Sequence, residues 1–252
     1  MLPQAFLNRM ESMLGNEYPA FLESYDKDKY QALRLNSVKG DTAQMKEKVP
    51  FSLQPVAWAK DGFYYEKDDT PGKHPLHEAG VYYIQEPSAM APAEYLEAKP
   101  GERILDLCAA PGGKATELGS RIGEGGMLLA NDISNSRAKA LLRNLEIQGV
   151  GRLLVTSEDP EKLVTLYPAF FDKILLDAPC SGEGMFRKES SMLRYYSENG
   201  PEHYVPIQKK LIEQAYQMLA EGGELLYSTC TFSVKENEEL SLIHISEPTR
   251  LG

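Results

Sequence analysis

The sequence predicts an α/β fold, a parallel sheet alternating with helices, preceded by a small α+β domain. Three observations carry that prediction. Apolar runs of strand length recur through the later part of the chain, each followed by a helical pattern. The run Ile174–Leu176 is apolar throughout, as a strand buried on both faces requires. The first 75 residues instead mix short helices with antiparallel hairpin signals.

The bulk numbers fit this class and exclude several others. A chain of 252 residues, 42% hydrophobic and 25% charged, has the make-up of an ordinary globular protein. No apolar run approaches the roughly 20 residues that cross a bilayer, so no membrane role is expected. The opening MLPQAFLNRMESMLG lacks the charged start and apolar core of a signal peptide. Cys108, Cys180 and Cys230 form no CxxC pair, which argues against a disulfide framework or a zinc site and fits the reducing cytoplasm. His74 and His77 share a Pro-rich loop with no further ligands, so no metal is expected. The net charge of −10 is wrong for a generic nucleic-acid binder, and any RNA contact must be a local patch.

Taken in order, Phe6, Leu7, Met10 and Met13 or Leu14 recur at helical spacing, with Gly15 as a stop. Ala32–Asn36 alternates like a half-buried strand, and Thr42–Lys48 suits a short helix. Asp61-Gly62 between Val56–Ala59 and Phe63–Tyr65 signals a hairpin. Residues 66–78, with Pro71, Gly72 and Pro75, read as a connector, so a domain boundary is placed at 75. GVYYIQEPSAM then leads into a helix at Ala91–Glu97. Strands follow at Arg103–Leu107, Met127–Ala130, Leu153–Val155, Lys173–Leu176 and Glu224–Tyr227. Helices are expected at Lys114–Ile122, Ser134–Gln148, Glu161–Leu166 and Ile207–Leu219. Two apolar stripes are expected: Ala138, Leu141, Leu142 and Leu145, and Ile207, Leu211, Ala215 and Met218.

Chemistry concentrates at three strand ends. The first strand runs into Cys108, Ala109, Ala110, Pro111, Gly112, Gly113 and Lys114. Small residues and two glycines there let the backbone approach a nucleotide-like cofactor. The pattern is neither GxGxxG nor a P-loop, because Lys114 is followed by Ala115. Asp132 ends the second strand, where a carboxylate can accept ribose hydroxyls. Glu158 or Asp159, after the third strand, could face the same cofactor. The fourth strand ends in Asp177 and then Cys180, and the fifth runs into Cys230. Two thiols and a carboxylate on adjacent strand ends suggest nucleophilic chemistry. A dehydrogenase-type nucleotide binder would leave both cysteines unexplained.

The segments YYIQEPSAM, LDLCAAPGGK, ILLDAPCSGEG with RK following, and YSTCTFS with KENE resemble the RNA (cytosine-5)-methyltransferases of the Sun/Fmu type, bacterial RsmF-like ribosomal RNA enzymes in particular, over residues 1–240. The resemblance implies a class I methyltransferase fold that uses S-adenosylmethionine. It implies an N-terminal RNA-binding module over 1–75 and a catalytic domain over 76–240. The implied reaction puts a methyl group on carbon 5 of cytosine in ribosomal RNA, expected to be the 16S RNA of the small subunit. By position, Cys230 is the implied nucleophile, Cys180 the cysteine that helps release product, and Asp177 the carboxylate at the target base. Cys108 to Lys114, Asp132, Glu158 or Asp159, and Asp177 fall on cofactor-binding positions. Arg187, Lys188, Lys209 and Lys210 are candidate phosphate contacts. The alternative is an RNA-binding module with this fold and no turnover.

The family continues into further strands after the fifth, and RsmF-like members add a C-terminal RNA-binding domain. Residues 241–252 (SLIHISEPTRLG) resemble a translated sequencing adapter and are read as a non-native tail. On that reading the fifth strand lies near a raw sheet edge, and the chain as written is expected to be inactive or poorly folded. Nothing in the sequence sets an oligomeric state.

Overall fold

The computed structural model describes residues 2–188, 191–198 and 200–240, so the tail expected to be non-native lies outside them. The chain divides into two compact units. One holds Tyr30–Asp177 and Leu211–Ser228, and the other the described residues of 1–29, 178–210 and 229–252. The units therefore do not follow chain order, and the first helices do not group with the strands that come after them.

Helices α1 (Gln4–Leu14) and α2 (Tyr18–Ser24) open the chain. Gly15 ends α1 at a φ of +51°, where a side chain would be strained. Phe6 and Met10 form the buried stripe of α1 and pack with Phe186 and Tyr196 of the same unit. Phe6 meets Phe186 edge-on at 5.1 Å between ring centres, a favoured aromatic geometry.

Strand β1 (Ala32–Leu35) is buried at all four positions, not on one face as the alternation predicts. The reason is Arg34, whose charge is met inside the fold rather than in water. Helix α3 (Thr42–Lys48) forms as expected, and Asp41 caps it by accepting the Gln44 amide at 2.9 Å. Strands β2 (Gln54–Pro55) and β3 (Gly62–Tyr64) pair antiparallel. Their turn is wider than Asp61-Gly62 alone would make it, and within it the Trp58 indole donates to the Pro87 carbonyl at 2.9 Å. The expected connector holds helix α4 (Pro75–Glu78), capped by His74 Nδ1, which accepts the Leu76 amide at 3.2 Å. Strand β4 (Tyr82–Ile84) was not expected. It pairs antiparallel with β1 and completes a sheet in the order β2-β3-β1-β4, so the sheet runs past residue 75. Leu33, Leu35, Val49, Phe63 and Tyr82 form its core.

Helix α5 (Pro87–Tyr95) starts earlier than expected, with Pro87 in a first turn that needs no N–H donor. The alternation then runs through β5 (Arg103–Asp106), α6 (Gly113–Arg121), β6 (Met127–Asn131), α7 (Asn135–Gln148), β7 (Leu153–Thr156), α8 (Pro160–Leu166) and β8 (Phe171–Asp177). Helix α9 (Ser191–Glu198) had no counterpart in the sequence reading, and α10 (Pro201–Met218) begins before Pro206, a residue that reads as a helix stop. Strand β9 (Leu219–Ser228) ends the sheet.

All described neighbours in this sheet are parallel, in the order β7-β6-β5-β8-β9. The chain moves from β5 out to β7, then returns to the other side of β5. The carboxyl ends of β5 and β8 thus flank the point where strand order reverses, the usual ligand position in open α/β sheets. Ile104, Leu118, Leu128, Leu141, Leu145 and Leu175 lie in the core beside it. Two expected core residues are outside: Leu142 and Ile207 are each 39% exposed. On α10, the buried Gln208 takes the place on the stripe expected for Ile207, because its amide has polar work to do. Among the described residues no helix is long and apolar enough to cross a membrane.

Candidate functional site

In the sheet-bearing unit, the chemistry gathers where β5, β6 and β8 end. Asp106, the last residue of β5, is 1% exposed, and neither carboxylate oxygen has a hydrogen-bond partner. Burial pushes its carboxyl up to about 7; Lys114 opposes this, while Asp177 and Asp132 add to it. Three carboxylates and one lysine therefore share one field.

Lys114 Nζ pairs with Asp177 Oδ2 at 2.7 Å. Ser228, level with Asp177 on the neighbouring strand β9, donates to Asp177 Oδ1 at 2.8 Å. The Asp132 carboxylate accepts the Ser134 amide at 3.0 Å and pairs with Arg137 at 3.1 Å.

The loop from Cys108 to Lys114 is strapped from several sides. The Ala109 amide donates to the Asn131 carbonyl at 2.8 Å, Arg137 donates to the Ala110 carbonyl at 2.9 Å, and Asn144 donates to the Pro111 carbonyl at 2.8 Å. Gly112 sits at φ +115°, a conformation that other residues rarely adopt. A Cβ on Gly113 would stand 3.2 Å from the Gln85 amide nitrogen. Gly112 is thus required by the backbone, and Gly113 is crowded by close neighbours. Burial, then Asp106, Asp132 and Asp177, raise the Cys108 thiol, which keeps it protonated and unsuited to attack.

Arg34, which the sequence reading passed over, reaches this loop from β1. Its Nη2 donates to the Gly113 carbonyl at 2.9 Å and to Thr116 Oγ1 at 2.8 Å. Its Nε lies 3.4 Å from Glu117 Oε2 on α6. Glu117 also pairs with Arg121 at 2.8 Å, and Arg121 with Glu94. Burial lowers the Arg34 guanidinium and pushes Glu117 up to about 7. Asp159 caps α8 by accepting the Glu161 amide at 2.8 Å, and Glu158 pairs with Lys162 at 2.7 Å. The Glu158 backbone is held by Asn131, which takes its amide at 3.0 Å and donates to its carbonyl at 3.1 Å.

The second unit holds the two thiols. Cys180 Sγ lies 3.3 Å from Cys230 Sγ. Cys180 is buried and Cys230 exposed. The hydrogen bond to Cys230, then burial, raises the Cys180 thiol, and either sulfur can be the donor in this pair. The Gly184 amide donates to the Cys230 carbonyl at 2.9 Å, and a Cβ on Gly184 would stand 2.9 Å from that oxygen. Arg187 donates to the Lys27 carbonyl at 2.6 Å, so this cation holds the chain as well as carrying charge.

The residues missed from sequence are of one kind. Asp106, Arg34 and Asn131 are polar groups inside strands or at their ends, read as strand residues only. A charge at a buried strand position was the available signal.

Residues 93–244 match the family model described as 16S rRNA methyltransferase RsmB/F. The chain belongs to this family. A second model, described as the N-terminal domain of 16S rRNA methyltransferase RsmF, matches residues 2–87. Two similar proteins are named ribosomal RNA small subunit methyltransferase F. That of Erwinia tasmaniensis is 36% identical over 249 residues, covering 94% of this chain and 52% of the relative. That of Escherichia coli is 35% identical over 251 residues, covering 95% and 52%. The chain spans about half the length of the curated relatives it matches. A methyltransferase homolog protein from Pyrococcus horikoshii matches in structure with a TM-score of 0.83 and 29% identity, over 97% of this chain and 79% of that one. The fold of the RsmB/F family member described here is therefore the class I methyltransferase fold expected from the sequence.

Proposed function

We propose that this chain carries the machinery for methyl transfer from S-adenosylmethionine to carbon 5 of cytosine in small-subunit ribosomal RNA, through a covalent adduct on Cys230. One observation carries the reading: Cys180 and Cys230 offer two thiols 3.3 Å apart. A lone nucleophile needs one sulfur. Two at this distance suit a reaction in which one sulfur bonds the base and the other helps undo that bond.

Carbon 5 of cytosine is a poor nucleophile. Addition of Cys230 Sγ to carbon 6 moves electron density onto the ring and makes carbon 5 enamine-like. Asp177 stabilises this adduct at ring N3 as that nitrogen takes up a proton. S-adenosylmethionine, when bound, supplies the electrophilic methyl group. A base then removes the carbon-5 proton, the 5,6 double bond re-forms, and Cys230 leaves as a thiolate, with Cys180 assisting that departure. The target base must leave its stack to be reached.

The residues present fit the cofactor. Asp106 offers a buried carboxylate with both oxygens unpartnered, suited to a cationic amino group. Gly112, at φ +115°, turns the backbone of the loop between β5 and α6, the loop assigned to the cofactor. Asp132 makes two contacts and has acceptor capacity left for ribose hydroxyls. The rest of Cys108 to Lys114, Glu158 or Asp159, and Asp177 complete the proposed set. Residues 1–75 are assigned an RNA-binding role and 76–240 the catalytic one. Arg187, Lys188, Lys209 and Lys210 are assigned to RNA phosphates. The compartment assigned is the cytoplasm, in keeping with three cysteines that form no CxxC pair.

The test uses RNA methylation by the full protein. Cys180→Ala should accumulate a covalent protein–RNA adduct. Cys230→Ala should lose both adduct and methyl incorporation. Unchanged incorporation in both variants sinks the thiol assignment. A protein that binds RNA without any incorporation marks the binding-module alternative.

A further inference from the structure

Glu236 follows Cys230 by six residues and lies in the short turn Val234–Glu236. Its side chain is fully buried at 0% exposure. Uncharged donors converge on it. The Ser181 amide and Gln208 Nε2 donate to Oε1 at 2.9 and 3.1 Å. Ser181 Oγ donates to Oε2 at 2.6 Å and accepts from Thr231 Oγ1 at 2.8 Å, and Thr231 Oγ1 also lies 3.4 Å from Oε2. Ser181 is the residue after Cys180, and Thr231 the residue after Cys230. Gln208 also donates to the carbonyl of Pro179, the residue before Cys180, at 2.9 Å. One carboxylate thus grips both cysteine loops at the residue next to each sulfur-bearing one. Packing does not explain this, since a buried carboxylate is costly unless donors converge on it.

A second buried carboxylate repeats the theme. Glu183, also 0% exposed, accepts the Phe232 amide at 3.2 Å and pairs with Arg9 of α1. Asn237 adds a third hold, accepting Thr229 Oγ1 at 2.7 Å and donating to the Thr231 carbonyl at 3.2 Å. The loops after β8 and β9 are held by these polar groups as well as by the packing of Phe186 and Phe232.

We propose that Glu236 is a positioning residue that fixes the spacing of the two sulfur atoms, so that Cys180 can act on the adduct Cys230 forms. It touches neither sulfur in any contact described above and acts through Ser181 and Thr231. The inference rests on the two-thiol reading of the proposed function. It predicts which half of the reaction suffers. Bond formation needs Cys230 alone. Release needs both sulfurs in register, so loss of Glu236 should stall the reaction after the adduct forms.

Two measurements on the full protein separate this inference from the reading beneath it. The first involves no RNA. An azodicarboxamide oxidant takes two electrons and two protons from the Cys180 and Cys230 thiols, giving a disulfide and the corresponding hydrazine, and peptide mapping follows the cross-link. In folded Glu236→Ala the cross-linking rate should fall about tenfold, and in Glu236→Gln by a smaller factor, because the amide keeps the shape but loses one acceptor. The second is the fraction of enzyme trapped on RNA at steady state. It should rise in both variants, with kcat reduced and KM for RNA little changed. Should Glu236→Ala not fold, Glu236→Gln carries the test. An unchanged cross-linking rate in the folded variant overturns the positioning role, even if Cys180 and Cys230 prove catalytic. A slowed cross-link without any RNA adduct in wild type keeps the geometric role of Glu236 and removes the two-thiol chemistry instead.

Discussion

Two buried carboxylates, one in each compact unit, are alike in exposure and opposite in partners. Asp106 is 1% exposed and has no hydrogen-bond partner on either oxygen. Glu236 is 0% exposed and accepts from the Ser181 amide, Ser181 Oγ and Gln208 Nε2. Burying a charge is costly in both places, and Glu236 is met by converging donors where Asp106 has chiefly the nearby charge of Lys114. The difference teaches how to read such groups. A satisfied buried carboxylate is part of the scaffold, and an unsatisfied one at the mouth of a sheet is, on the proposed function, the place of a cation.

The sharpest way to break that contrast is to neutralise both groups. Asp106→Asn should weaken S-adenosylmethionine binding by about 100-fold, the loss expected for a buried hydrogen bond to a charged group. It should also raise the melting temperature of the ligand-free protein at pH 8, because it removes a buried charge with no partner. Glu236→Gln should lower the melting temperature. Calorimetry on both variants checks this, and two shifts of the same sign would erase the distinction.

The pH dependence sharpens it further. Asp106 is pushed up to about 7 in the fold, against about 4 in an unfolded chain. The folded state therefore takes up a proton in this window that the unfolded state does not. The stability this group contributes is full below pH about 4 and is lost as pH rises to about 7. Cofactor binding runs the other way, since a cation needs the ionised carboxylate. Titration calorimetry should find affinity rising between pH 6 and pH 8 and levelling above, by up to about tenfold per unit below 7. Asp106→Asn should flatten that slope. Glu117, also raised to about 7 by burial, adds to the stability slope but not to the binding slope.

Smaller effects separate the straps from the ligand contacts. Arg34→Met removes the donors to Gly113 and Thr116 and leaves Glu117 with Arg121. It should weaken cofactor binding about tenfold and lower the melting temperature, because a loop set loose by about 1 Å loses part of its fit. Ser228→Ala removes one hydrogen bond to Asp177 and should cost stability of only about 1 kcal/mol, read from urea denaturation.

The parallel sheet was legible in the sequence because each strand is a short apolar run ending in a polar or small residue. The glycine loop, Asp132, Asp177 and both cysteines lay at those ends. What escaped was whatever depends on distant partners. Arg34 looks like an outward strand residue until Glu117 and Gly113, far along the chain, are seen beside it. Asp106 looks like one more strand residue until its lack of partners is visible. Glu236 sits in a motif whose resemblance was plain, but its role depends on Ser181 and Gln208. Helix α9 was missed altogether, and Pro206 concealed the true start of α10. A proline costs a helix one hydrogen bond and a clash, and the remaining turns of α10 outweigh that.

The most direct test of the account is to find which residue carries the RNA. The Cys180→Ala protein would be incubated with S-adenosylmethionine and small-subunit ribosomal RNA, digested, and mapped by mass spectrometry. The account predicts a methylated cytosine nucleotide attached to the peptide that contains Cys230. A nucleotide on any other residue, or no covalent species while methylated RNA is still produced, would contradict it.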